Sequence, residues 1–157
     1  MQNRAEMSGF FVYHADKESK FGHNAIMTDF ISFKSLKRPP KPNTCLVAPE
    51  DHCLAAEPDF APPKLDMTGR GLFSKLSELI AAERSFGTIT ADAERLSLKF
   101  VATTGLMRFK DDVDIEVIAL EDGKATFAIY SRSRVGYSDM GANQKRVRKL
   151  IHQLGTN

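Results

Sequence analysis

Long hydrophobic runs are missing from this chain. A membrane-spanning helix needs about 18 or more consecutive apolar residues. The apolar cluster near the start, Phe10-Phe11-Val12-Tyr13, is too short even for the core of a signal peptide. As written, the sequence reads as an untargeted cytoplasmic chain, and an anchor upstream would make it envelope-associated. Charge of one sign is also scarce, since the net charge is +2, too little to draw a nucleic acid. The local cluster Lys145, Arg146, Arg148 and Lys149 reads first as a solvated helix face. Its sharper reading is contact with anionic lipid or an acidic partner. The two cysteines, Cys45 and Cys53, share one proline-flanked loop, where spacing permits a disulfide without requiring it. His52 stands beside Cys53, but no second ligand pair follows at metal-binding spacing, so neither metal nor other cofactor is expected. A Gly-x-Ser-x-Gly elbow, a phosphate loop, a dinucleotide fingerprint and an internal repeat are all lacking.

What is present fits one domain, 157 residues being enough for one hydrophobic core. Residues 1–41 read as an irregular N-terminal arm and 42–157 as a single domain. Arg38-Pro39-Pro40-Lys41-Pro42 cannot be helix interior, because proline removes an amide donor and restricts its predecessor. The scattered aromatics Phe10, Phe11, Tyr13, Phe21, Phe30 and Phe33 imply that the arm packs on the domain. Residues 43–49 and 58–66 read as short extended segments. Leu72, Phe73, Leu76, Leu79 and Ile80 then follow the spacing of an amphipathic helix over 69–83.

Strands follow at 87–91, at 96–102 with Leu96, Leu98, Phe100 and Ala102 on one face, and around Val113, Ile115, Val117 and Ala119. The last strand is expected over 125–135. A second helix begins near Ser138-Asp139, with Val147, Leu150, Ile151 and Leu154 on one stripe and Gly155 as its C-terminal cap. Short turns between the later strands force antiparallel pairing. The expected fold is therefore α+β, an antiparallel sheet of four to five strands with two amphipathic helices packed on one face, behind an irregular arm.

Register follows from side-chain faces. A three-residue loop at Asp122–Lys124, with Gly123 at positive φ, sets Asp112 opposite Arg134, Asp114 opposite Arg132 and Glu116 opposite Tyr130. A two-residue loop would flip one strand's core face, and is rejected for that reason. The ladder reads as cross-strand ion pairs, or as a patch that recognises an anion or an acidic partner.

Phe109-Lys110-Asp111-Asp112-Val113, then Ser131-Arg132-Ser133-Arg134-Val135-Gly136-Tyr137-Ser138-Asp139-Met140-Gly141-Ala142-Asn143 and Arg146, together resemble the domain of unknown function family 1499. Pro42-Asn43-Thr44 is similar to that family's entry to the domain, and the resemblance spans about residues 42–154. Tyr130 departs mildly from a position that is commonly hydrophobic, while Arg132 and Arg134 match. The resemblance implies a family widespread in bacteria, with plant plastid members and without an established activity. Many of its bacterial members carry an N-terminal membrane segment that this chain lacks as written.

Catalysis requires a nucleophile, a base and a stabiliser close together. Ser133 or Ser138 with Asp111, Asp112, Asp139 and Arg134 would be the hydrolase candidates, but no histidine lies near them in sequence, and His152 has no obvious partner. The favoured reading is a non-enzymatic binding or accessory domain. Its candidate binding residues are Asp111, Asp112, Arg132, Arg134, Ser138, Asp139, Asn143 and Arg146, around the turn from the last strand into the last helix. Amides at that helix start, with Arg132, would hold a small anionic ligand. A purely structural assembly role is the third reading. Asn143 is expected to bond a backbone group within the strand-to-helix turn.

Overall fold

The computed structural model describes residues 30–155 except Leu106. The sequence reading of Phe10, Phe11, Tyr13 and Phe21 as packing residues lies outside the described residues. Five strands form one sheet: β1 (Thr44–Val47), β2 (Phe86–Asp92), β3 (Ser97–Thr103), β4 (Lys110–Ala119) and β5 (Ala125–Ser133). Their order is β1-β5-β4-β3-β2, and all neighbours are antiparallel. Helix α1 (Gly69–Ala82) precedes β2 and α2 (Ala142–Gly155) ends the chain. The architecture is the α+β sheet with two helices expected from periodicity, and residues 43–49 supply its fifth strand. The 58–66 segment contributes only single bridges, Val47 to Phe60 and Leu65 to Ala125.

Both helices lie on one face. Leu72, Leu76 and Ile80 of α1 and Val147, Leu150 and Leu154 of α2 are buried against Phe100, Val113, Ile115, Phe127 and Ile129. Thr68 caps α1 by accepting the Gly71 amide at 3.1 Å. Gly69 stands where a Cβ would come within 3.2 Å of both the Ala119 Cβ and the Leu96 side chain, so the helix starts close against the end of β4. The other face is covered by the described end of the arm. Phe33 packs with Leu46, Ala48, Ala128 and Tyr130, flanked by Ile31 and Leu36. Covered on both sides, β5 is buried at every position from Ala125 to Ser131. Cys45 lies in the helix-side core and Cys53 packs on the arm side, and both are free thiols.

Two local expectations are corrected. The β4–β5 loop spans Glu121–Gly123, with Leu120 donating to the Lys124 carbonyl at 2.8 Å. Asp122 and Gly123 both take positive φ, 61° and 72°. The loop is three residues long but starts one residue earlier than expected, so Asp112 opposes Arg132 and Asp114 opposes Tyr130. A slip of two preserves every side chain's face. The last strand also stops at Ser133 rather than 135, and α2 starts at Ala142 rather than near Ser138. A turn with Gly136 at φ 85°, Met140 at 52° and Gly141 at 79° lies between them.

Candidate functional site

The eight residues singled out by sequence divide between the two faces of the sheet. Alternation along β4 sends Asp111 to the helix side with Val113, Ile115 and Val117, where it meets Arg146 from the second turn of α2. The guanidinium donates to Asp111 Oδ2 at 2.6 Å. Asp111 is fully buried and the Arg146 side chain is 9% exposed. A second guanidinium nitrogen donates to Ser131 Oγ at 2.9 Å and to Asn143 Oδ1 at 2.8 Å. The Ser131 hydroxyl donates its own hydrogen bond to Asn143 Oδ1 at 2.6 Å.

The Asn143 amide nitrogen faces three acceptors: the Asn43 carbonyl at 3.0 Å, Ser133 Oγ at 3.0 Å and Asp139 Oδ2 at 2.6 Å. Asn143 therefore reaches beyond its own turn to the entry of β1, which corrects the local bond expected from sequence. Asn43 completes the tie, its amide donating to the Gly136 carbonyl at 2.9 Å. Asp139 fills the start of α2, taking the Gly141 and Asn143 amides at 2.9 and 2.8 Å. The chain's own carboxylate thus occupies amides that the sequence reading offered to an external anion. Ser138 is exposed and only accepts the Met140 amide at 3.3 Å.

On the arm side, Arg134 grips Asp112 with two nitrogens, at 3.0 and 2.7 Å, and Arg132 donates to Asp114 at 2.8 Å. Both expected ion pairs form, diagonally across the strands rather than directly opposed. Burial alone would raise the Asp112 carboxyl, but the Arg134 hydrogen bonds and the charges of Arg134 and Arg132 outweigh it and hold the group below its usual range. Arg132 also lies over the Tyr130 ring, 5.1 Å from its centroid. Burial pushes the Tyr130 phenol up, against the pull of Arg132.

Beside these pairs lies a cleft of about 360 Å³ between residues 31–44 and the end of β5. Ile31, Leu36, Pro39 and Tyr130 give it apolar walls. Lys37, Lys41, Arg132 and Arg134 give it positive charge, and Asn43 and Thr44 line it with polar groups. Lys37 and Lys41 are exposed and have no ionic partner among the described residues. Sequence reasoning missed both lysines because they belong to the stretch read as irregular arm, where no periodicity assigns a face. The signal that could have found them was the alternation of cations with prolines over residues 37–42.

The basic cluster on α2 disperses. Arg146 turns inward, Lys149 pairs with Glu83 at 2.6 Å, Arg148 stacks 4.4 Å over Phe60, and Lys145 remains exposed. His52 lies 3.5 Å from Glu116 and against Phe33. Among the described residues no three of His, Cys, Asp or Glu gather as a metal site, and no helix is long and apolar enough to cross a membrane.

No curated protein matches the chain. Among solved structures, the crystal structure of the di-domain ARO/CYC BexL from the BE-7585A biosynthetic pathway is similar over 60% of this chain, at 13% identity and a TM-score of 0.47. The likeness covers 44% of that chain and is too slight to carry an argument. The family model described as "Protein of unknown function (DUF1499)" matches residues 35–154. That match takes in all of the arm-side cleft's lining but Ile31, all five strands and the buried stripe of α2. The chain belongs to the DUF1499 family.

Proposed function

We propose that the domain is a non-catalytic binding module whose ligand is a small organic anion, held in the cleft between the arm and the end of β5. One observation carries the reading: four cations surround a cleft with apolar walls, and two of them, Lys37 and Lys41, have no ionic partner among the described residues. The volume of about 360 Å³ suits a small molecule. Asp112 and Asp114 offset two of the four charges, which leaves the lysines to supply the net attraction. Arg132 and Arg134 give oriented donors beside them. In this reading Asp111, Asp139, Asn143 and Arg146 brace the fold beneath α2, and Ser138 serves its own turn.

The hydrolase alternative draws less support from the geometry. Ser133 Oγ accepts from the Asn143 amide, and the exposed Ser138 Oγ accepts the Met140 amide. Among the described residues neither hydroxyl is bonded to a carboxylate or an imidazole that could take its proton.

Anilinonaphthalene sulfonate, an anion on an apolar body, is a suitable probe. Its fluorescence titration into the full chain should show a saturable site that weakens as salt rises. Lys37→Ala/Lys41→Ala should weaken it several-fold, as loss of two exposed, unpaired charges at the cleft mouth implies. Equal dye affinity in the wild type and the double variant would contradict the proposal.

A further inference from the structure

Five large apolar side chains are exposed on two loops that leave the same end of the sheet. Met107 is 65% and Phe109 45% exposed on the β3–β4 hairpin, while Val135, Tyr137 and Met140 are 54%, 68% and 90% exposed on the β5–α2 turn. The loops are joined where the Arg134 amide donates to the Lys110 carbonyl at 3.1 Å. We infer that this end of the molecule docks on an anionic lipid bilayer, with the apolar tips entering the headgroup boundary and the flanking cations meeting its negative charge.

Isolated exposed apolar residues are ordinary, but several gathered at one end of a small domain mark an interaction surface. The occupant is argued from charge and shape. Arg108 and Lys110 flank the hairpin tip and Lys145 stands just beyond the turn, all exposed. None has an acidic partner among the described residues, Lys110 donating only to Thr103 Oγ1 at 2.7 Å. The acids nearby are already committed, Asp112 to Arg134 and Asp139 to the amides of Gly141 and Asn143. The end is therefore net positive, which fits an anionic surface. The apolar groups sit on loop tips rather than in a groove, the arrangement that lets a few side chains enter a bilayer boundary without burying backbone.

The tips are also held in shape. Met140 keeps a positive φ of 52° while almost fully exposed, fixed between the Ser138 hydroxyl on its own amide and the Asp139 carboxylate on the next one. Arg108 has a similar φ of 51° in the hairpin. Exposed side chains on a left-handed backbone add little burial to the fold, whereas a partner surface can use them. This inference is independent of the cleft reading, because no cleft cation other than Arg134 lies on these loops.

The test is flotation of the full chain with vesicles of pure phosphatidylcholine and with equal parts phosphatidylcholine and phosphatidylglycerol. The wild type should float with the anionic vesicles, float poorly with the neutral ones, and be released by raised salt. Tyr137→Asp/Met140→Asp should cut partitioning at least about tenfold, since two apolar groups leave the boundary and two negative charges enter it. Met107→Asp/Phe109→Asp on the other loop should do the same, and both variants should keep the wild-type melting temperature because the changed residues are exposed. Lys37→Ala/Lys41→Ala should float as the wild type does, even if dye binding fails. Absence of flotation, equal flotation on neutral vesicles, or flotation unchanged by both tip variants would overturn the inference. So would a wild-type dimer that the tip variants dissociate, without vesicle binding, since the patch would then serve a second copy of the chain.

Discussion

The Asn143 side chain lies within hydrogen-bond distance of five groups, from the entry of β1, from β5, from the turn and from its own helix, its two amide hydrogens being shared among three acceptors. An asparagine is poor helix material, and here its amide does what an aliphatic residue cannot, because a carbonyl, two hydroxyls, a carboxylate and a guanidinium all need partners in a dry place. Replacing Asn143 with Ala leaves several of these groups short of a bond, and the expected loss is about 2–4 kcal/mol, read as a fall in the urea midpoint. An unchanged midpoint would remove the amide from the brace. The ionisable residues set the pH limits. Asp112 and Glu83 both titrate below the usual carboxyl range, the first against a burial cost through Arg134, the second chiefly through the Lys149 hydrogen bond. A lowered folded pKa stabilises above the unfolded value of about 4 and loses that contribution as pH falls through the folded value. Arg134 and Lys149 are half exposed or more, so each share is small. Cys45 has the opposite sign. Burial first, and Asp59 second, push its thiol up to about 11, so its contribution is complete below about 9 and fades as pH rises towards 11. A urea midpoint measured against pH should fall at both ends, and Asp112→Asn should flatten the acid limb.

At the scale of elements, face was legible and offset was not. Alternation in 110–119 and 125–133 assigns each side chain to a face because the strand period is two. Whether the loop occupies 121–123 or 122–124 depends on which residues accept positive φ, and Glu-Asp-Gly-Lys allows both placements. The structure gives Asp122 and Gly123 that conformation, and every cross-strand partner moves by two. The helices were legible from their stripes. The start of α2 was misplaced because Asp139 acts from three residues ahead of the helix, where a carboxylate reaches amides that a side-chain cap would otherwise hold. β2 contains a local cost. Thr88, a β-branched residue, has φ 50° at the register shift between Gly87 and Thr90, a conformation disfavoured by about 1–2 kcal/mol. Thr88→Gly relieves that strain and gives up about 0.5–1 kcal/mol of chain entropy. The net expectation is a gain of about 0.5–1 kcal/mol in urea unfolding, and a destabilised variant would show that the bulge is held by the threonine side chain.

For the whole molecule, the least legible feature was the arm side. Residues 30–57 have no periodicity, so the aromatics signalled that the arm packs but not where: Phe33 is 2% exposed, over a sheet face closed by Leu46, Ala128 and Tyr130. What fixes that segment is tertiary contact. Arg38 bonds Thr44 and Asp59, and Asp59 in turn takes the Leu46 amide and donates its own to the Leu46 carbonyl, closing the edge of β1. None of these pairings is periodic in sequence, so the cleft that the segment forms with β5 could not be read in advance. Phe33→Ala should cost about 3–5 kcal/mol in the urea midpoint, a loss unexpected of a loose tail. The same separation of faces divides the run from Arg132 to Arg146: its arginines at 132 and 134 lie on the cleft side, while Asn143 and Arg146 lie on the helix side. The most direct test of that division is dye titration of Arg134→Ala beside Arg146→Lys. Arg134→Ala should bind anilinonaphthalene sulfonate several-fold more weakly while its stability to urea stays within about 1 kcal/mol of wild type, as expected for a half-exposed pair. Arg146→Lys should unfold at lower urea yet bind the dye with wild-type affinity while folded. Loss of binding in folded Arg146→Lys, with Arg134→Ala unaffected, would contradict the division.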